Sequence, residues 1–212
     1  MVDDARALRA LDEIDIRKVR ADWAYARDKG DWEVLRGCFH PDATACLSWY
    51  NGPAEGFVEG SKRMLRAGKD HAGAHVFGSH RIKLNGDRAI MESDVQYFLR
   101  DRVQGLMTDA NMQMLFYDQM ERRDGVWRIW RWTAVYNADR VDPVVPMSEP
   151  PGFYDDVEFD KEKNGIAMMR ARGAKTGRPM SDWIVVAGTD KERAARAQGE
   201  RWLNDIPSPL EG

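Results

Sequence analysis

Apolar residues Leu8, Leu11, Ile14, Ile16, Val19, Trp23 and Ala26 return at roughly helical intervals until Lys29-Gly30 interrupts the series. This predicts one long amphipathic helix. Asp31 can cap a short second helix through Trp32, Leu35 and Phe39. That helix should stop at His40-Pro41, because proline disfavours helical backbone in the residue before it. "TACLSWY" then reads as a strand and "GSKRMLRAG" as a short helix with Ser61 near its start. Three later segments alternate with period two. They are "HRIKLNGDRAIMESDVQYFLR", with an Asn-Gly turn inside it, "ANMQMLFYDQMER", and "VWRIWRWTAVY", reached through an Asp-Gly turn. The order of elements predicts an α+β fold: a curved antiparallel sheet with helices on one side.

Beyond Asp139 the periodicity ends. "VDPVVPMSEPPGFYDDVEF" is proline-rich, and only "TDKERAARAQGERWLNDI" looks helical again, with Thr189 as its N-cap. Residues 1–140 are therefore expected to form the domain, and 141–212 an extension without a core of its own. Charge narrows the partners. Thirty-two Lys and Arg against 35 Asp and Glu leave a formal net charge of -3, and no basic run is dense enough to track a phosphate backbone, so nucleic acid is not an expected partner. The N-terminus is charged and no window approaches the ~18 apolar residues of a membrane span. A soluble, cytoplasmic chain is expected, with no membrane partner. Cys38 and Cys46 form no CxxC and are expected to be buried thiols.

The ordered set "WAYARDKGDWEVLRGCFHPDA", "HVFGSHRIKLNGDRA", "YDQMERRDGVWRI" and "VYNADRVDPV" resembles the SnoaL-like, nuclear transport factor 2-like superfamily over roughly residues 8–145. The resemblance implies a cone, in which a bent sheet wraps around the first helices and an apolar pocket opens at the wide end. It also implies a dimer or trimer formed through the outer face of the sheet. Activity follows less directly, because this fold hosts dehydratases, isomerases, a dehydrochlorinase, cyclases and noncatalytic modules.

Within the superfamily the motifs resemble scytalone dehydratase-like and dehydrochlorinase-like enzymes, which pair an aspartate ending the first helix with a histidine starting a strand. Asp28, three residues before Asp31-Trp32, matches the first, and His75, three before Gly78, the second. Where scytalone dehydratase has a tyrosine before its aspartate, a second catalytic histidine and another tyrosine, this chain has Arg27, Leu99 and Leu47. Only the bare Asp-His pair carries over. Taken alone, Asp28 is a solvated helix-end carboxylate; the paired spacing is what moves it to the pocket. His80 is the competing histidine, His40 reads as a turn residue, His71 lies in a polar loop, and a His71/His75/His80 metal cluster lacks a known ligand spacing.

Imidazole can take and return a proton near neutral pH, and a carboxylate on its far nitrogen fixes the tautomer and steadies the imidazolium. No metal or cofactor is expected. Side chains i and i+2 of a strand share a face, and matching the strands to the superfamily implies that Leu47 and Trp49, then Val95, Tyr97 and Leu99, then Met112, Met114 and Phe116, then Trp130, Trp132 and Tyr136 point inward, with Trp23 added from the helix. Rings with polar tips suit a flat aromatic ligand, with Tyr97, Arg27, Arg131 or Arg100 to hold a phenolate or carboxylate. The leading expectation is a cofactor-independent lyase acting on a small aromatic molecule. One concrete form resembles the sphingomonad diarylpropane lyases of lignin-dimer breakdown. An isomerase and a noncatalytic binding module remain open. Residues 147–160, with Phe153 and Tyr154, are the expected cover of the pocket mouth.

Overall fold

The computed structural model describes residues 4–66, 73–160 and 164–205. Helix α1 (Asp4–Lys29) leads to α2 (Trp32–Gly37), capped as expected by the Asp31 side chain, which accepts from the Val34 N–H. Strands β1 (Phe39–Leu47) and β2 (Tyr50–Pro53) follow, then α3 (Ala54–Arg66). Four long strands come next: β3 (Gly73–Asn85), β4 (Arg88–Val103), β5 (Leu106–Arg123) and β6 (Val126–Pro143). The extension supplies a 3-10 turn (Asn164–Ile166), α4 (Ala167–Lys175), a two-residue strand β7 (Val185–Val186) and α5 (Asp190–Asn204).

The sheet order is β2-β1-β6-β5-β4-β3, with β7 on β6 beyond the end of β1. The sheet is mixed, because β1 and β7 both run parallel to β6 while the hairpin strands are antiparallel. Tight loops reverse the chain. Gln104-Gly105 and Asp124-Gly125 carry successive positive φ angles, the backbone of turns that match the twist of a two-residue hairpin. Register breaks at Phe77/His80, Gln113/Met114 and Gln119/Met120 bend the long strands, leaving a curved, unclosed sheet.

Several boundaries differ from the sequence expectation. Phe39 and His40 belong to β1, and Ser48-Trp49 is a turn between two strands. His40 is buried, with Nε2 2.9 Å from the Glu121 carbonyl, so it is a strand residue and not a turn. Helix α3 begins at Ala54, so Ser61 is a buried mid-helix residue. Its glycines mask it in the sequence, yet they let rings pack on the helix: a Cβ on Gly60 would sit 2.8 Å from the Trp49 ring, and one on Gly56 would meet the Tyr50 hydroxyl. On α1, Leu8, Leu11 and Ile14 are 64%, 58% and 57% exposed, and the buried stripe is Ile16, Arg20, Trp23, Ala26 and Arg27. The helix docks through its second half.

The core contains a charge. Arg20 and Asp118 are fully buried and joined by a bidentate pair, Nε to Oδ2 at 2.8 Å and Nη2 to Oδ1. The Arg20 guanidinium lies 4.7 Å from the Trp23 ring centre, 4.8 Å from Phe116 and 5.0 Å from Trp132, cation–π contacts worth more when desolvated. Burial pushes the Asp118 carboxyl up against the pull of Arg20, so ionising it inside the protein is costly and the pair is not a surplus of stability. Removing one partner is a different matter. Arg20→Met should destabilise by about 3–5 kcal/mol, because Asp118 is left buried and uncompensated, whereas Arg20→Met with Asp118→Leu should recover most of that loss. Denaturant unfolding checks this; a single-variant loss under about 1 kcal/mol would remove the pair from its structural role.

Candidate active site

Asp28 follows the buried stripe of α1, and His75 lies near the start of β3. The Asp28 carboxylate holds the histidine twice: Oδ1 is 2.7 Å from the ring Nδ1, and Oδ2 accepts from the His75 backbone N–H at 2.7 Å. Side chain and strand are thereby fixed by one group. With Nδ1–H donated to the carboxylate, Nε2 is the unprotonated nitrogen. The two side chains are 14% and 11% exposed, enough to reach a ligand without bulk water around them. Burial pulls the His75 pKa below its ordinary value, outweighing the Asp28 bond that raises it, and the Arg27 and Arg20 charges act in the same downward direction. Burial acts to raise Asp28, but its bonds to His75 and the Arg27 charge outweigh this and hold it below the usual carboxylate range. At neutral pH the pair is an ionised carboxylate and a neutral imidazole.

Tyr97 is the cross-strand partner of His75, with ring centres 4.4 Å apart. Gly73 makes room for it, since a Cβ there would stand 2.6 Å from the Tyr97 hydroxyl. Trp23 meets the imidazole edge-on at 5.2 Å. These groups border a cavity of about 580 Å³, walled by Leu47, Trp49, Phe57, Met112, Met114, Phe116, Trp132 and Tyr136. The volume is that of a site for a drug-sized molecule. Tyr136 accepts from the Ser48 N–H at 2.9 Å and burial pushes its pKa up to about 12, so it stays protonated and keeps a hydroxyl hydrogen to donate.

Of the residues assigned from sequence, His75, Tyr97, Trp23, Arg27, Trp49, Phe116, Trp132 and Tyr136 line the cavity, and Asp28 reaches it through His75. Trp130 does not. A bulge between the Met120–Ile129 and Gln119–Arg131 pairs inserts Trp130 as an extra residue, so parity switches from Trp127 and Ile129 to Trp132, Ala134 and Tyr136. Trp130 instead stacks on Trp202 of α5 at 5.3 Å. Arg131 lies over Trp130, and Arg100 is paired with Asp109. His80 is exposed, with its Nε2 against Arg17. His71 lies outside the described residues. Among the described residues no group of three His, Cys, Asp or Glu side chains is placed to hold a metal ion. Cys38 is buried, with its thiol pushed up to about 12, and Cys46 is half-buried.

The extension contributes what sequence reading missed. Met169, Arg172, Gly173 and Thr176 of α4 and its end, then Arg178 to Ser181, line the cavity together with Arg63 of α3. The expected cover at 147–160 lies elsewhere: Phe153 packs on Tyr154 and under Lys175, while Tyr154 donates to the Val141 carbonyl. These aromatics pin the loop to β6 and α4. The only foretaste in the sequence was the apolar pair Met168-Met169 beside an isolated glycine, Gly173.

Helices packed on a curved, unclosed mixed sheet, and a carboxylate–imidazole pair at an aromatic cavity, define the class of cone-like α+β proteins. The chain belongs to the SnoaL-like domain family, which matches residues 8–133. An uncharacterised protein of Emericella nidulans is 27% identical over 161 residues, 71% of this chain, and the match spans only 64% of that relative's length. Among solved structures, the chain is similar to a putative scytalone dehydratase from Novosphingobium aromaticivorans (TM-score 0.54, 15% identity, 67% of this chain and 97% of that one). It is also similar to the hexachlorocyclohexane dehydrochlorinase LinA-type3 from Novosphingobium barchaimii (0.53, 19%, 67% and 97%). A Mycobacterium tuberculosis protein of unknown function is matched at 0.54, with 17% identity, 82% of this chain and 94% of that one. At these identities the likeness establishes the fold. Among the described residues no helix is long and apolar enough to cross a membrane.

The electrostatics make a direct prediction. By proton NMR titration, the His75 ring should titrate below the ordinary imidazole value of ~6.5, and Asp28→Asn should move it lower still, because the amide no longer steadies the imidazolium. The folded value is the depressed one, so the contribution of His75 to stability is complete above the unfolded value of ~6.5 and is lost as pH falls through the folded value. A His75 value at or above 6.5 would contradict this assignment.

Proposed function

We propose that this protein is a cofactor-independent lyase that eliminates from a hydrophobic aromatic small molecule by proton transfer through His75. One observation carries the reading: a neutral imidazole, locked through Nδ1 onto ionised Asp28, borders an aromatic-walled cavity. Nε2 takes a proton from an acidified O–H or C–H of the substrate. The released electron pair expels a leaving group from the neighbouring position, while Asp28 stabilises the imidazolium. The imidazolium then returns its proton to the departing oxygen, so the enzyme ends each cycle as it began. Such positioned transfer supplies roughly 10²–10⁴-fold. The structural likeness to a putative scytalone dehydratase and to a hexachlorocyclohexane dehydrochlorinase lends support to elimination as the reaction class.

In its more specific form the substrate is a phenolic diarylpropane diol of the kind released from lignin. Loss of the phenol proton expels the benzylic hydroxyl as water and leaves a quinone methide. Loss of the terminal hydroxyl proton then releases formaldehyde and leaves a stilbene phenol, so water and formaldehyde balance the atoms. Tyr97 or Arg27, both at the cavity, would hold the phenol oxygen.

The test is incubation with phenolic dimers, hydroxylated polycycles and steroids, followed in the near ultraviolet, where elimination creates new conjugation. On the best substrate, His75→Ala should cut kcat/KM by roughly 10²–10⁴-fold with an unchanged circular dichroism spectrum. Asp28→Asn should lower kcat more than it raises KM, because it acts on the charged transition state. The wild-type rate should climb with pH through the depressed His75 value and level off by neutrality. Full activity in His75→Ala, or a rate that falls between pH 5 and 7, would reject the base assignment.

A further inference from the structure

Charge is unevenly distributed over this molecule. The chain as a whole is acidic, 35 Asp and Glu against 32 Lys and Arg, yet the described residues lining the cavity include Arg27, Arg63, Arg172 and Arg178 and no aspartate or glutamate. Two of the four have identified tasks. Arg172 is buried and paired with Asp101 at 2.6 Å, which fastens α4 to the edge of β4. Arg27 is buried beside the dyad, and its charge bears on both Asp28 and His75.

Arg63 and Arg178 are different. They come from two separate elements, α3 and the loop after α4, and both are exposed side chains of the cavity lining. Among the described residues neither guanidinium has a carboxylate within ion-pair distance, whereas Arg36, Arg100, Arg122, Arg123 and Arg196 are all paired. A cleft with low-dielectric walls focuses the field of such charges toward its opening. The loop that carries Arg178 is also anchored: the Trp183 indole N–H donates to the Leu47 carbonyl at 2.9 Å. The two cations therefore belong to a built rim.

We propose that the aromatic substrate of this cavity, a diarylpropane diol included, also carries a carboxylate, so that its rings enter the wall of Trp23, Phe116 and Trp132 while Arg63 and Arg178 bind the carboxylate at the mouth. Guanidinium is suited to this, since its planar fork matches a carboxylate with two hydrogen bonds and stays charged at any working pH. The inference rests on the lyase reading only for the claim that the ligand is the substrate. It places selectivity at the rim and reaction at the floor, with the carboxylate held apart from Asp28, which would repel it.

The experiment is a calorimetric titration of the full chain with biphenyl-4-carboxylate and with the neutral isostere biphenyl-4-carboxamide. At low salt the carboxylate should bind at least tenfold more tightly, and the difference should shrink as sodium chloride is added. Arg63→Gln with Arg178→Gln should weaken the carboxylate about tenfold and leave the carboxamide unchanged, which also reports that the variant is folded. Equal affinities, no binding of the carboxylate, or a preference that survives in the double variant would overturn the proposal. Because binding is read without turnover, a carboxylate preference in a protein that performs no elimination would sink the lyase reading alone. Elimination of neutral aromatics without that preference would sink this one alone.

Discussion

A helix laid across a sheet must have both its rotation and its sliding position fixed before any residue at its end can serve as a precise partner. In this protein the buried pair of Arg20 and Asp118 supplies that constraint. Hydrophobic contacts alone tolerate small shifts, whereas a bidentate pair inside an aromatic box loses several kcal/mol if it slips. Asp28 lies eight residues further along α1, about 12 Å at the rise of a helix. The seat of Arg20 between Trp23, Phe116 and Trp132 fixes where that end of the helix falls relative to His75. The charge is expensive to bury, and what it secures is register.

The candidate site then follows from opposing effects of one environment. The apolar walls that disfavour an imidazolium also strengthen the bond that orients the imidazole, since both depend on exclusion of water. Asp28 resists the same burial because it accepts two hydrogen bonds from a single residue. The result is a neutral imidazole facing the cavity and an ionised carboxylate behind it.

Much of this was legible in the sequence. The Asp28–His75 pairing could be read from spacing and resemblance, and the antiparallel succession of the long strands from alternation and turn residues, but not the parallel pairing of β1 and β7 with β6, which joins segments distant in the chain. Failures had physical causes. Trp130 was turned inward because a period-two reading cannot foresee the bulge that shifts parity beside it. Helix α3 lost its first half to glycines that serve ring packing against Trp49 and Tyr50. Arg20 was hidden because a charged residue is not counted in an apolar stripe, although Ile16, Arg20, Trp23 and Arg27 fall at helical spacing on one buried face. The rim arginines were out of reach, since only tertiary contact brings α4 and the loop behind it to the cavity.

That last feature separates two kinds of inheritance. The carboxylate–imidazole pair sits on α1 and β3, inside the stretch shared with the family, while much of the rim comes from a segment beyond residue 133, where the family match ends. The segment is anchored to the sheet by β7 and by the turn at Gly165, where a side chain would collide with the Tyr136 carbonyl. Sequence change between those anchors can remodel what the cavity admits without disturbing the Asp28–His75 pair. A lineage carrying this appendage could therefore change the ligands it admits at little risk to that pair, and the variation that distinguishes its members should gather in residues 172–181.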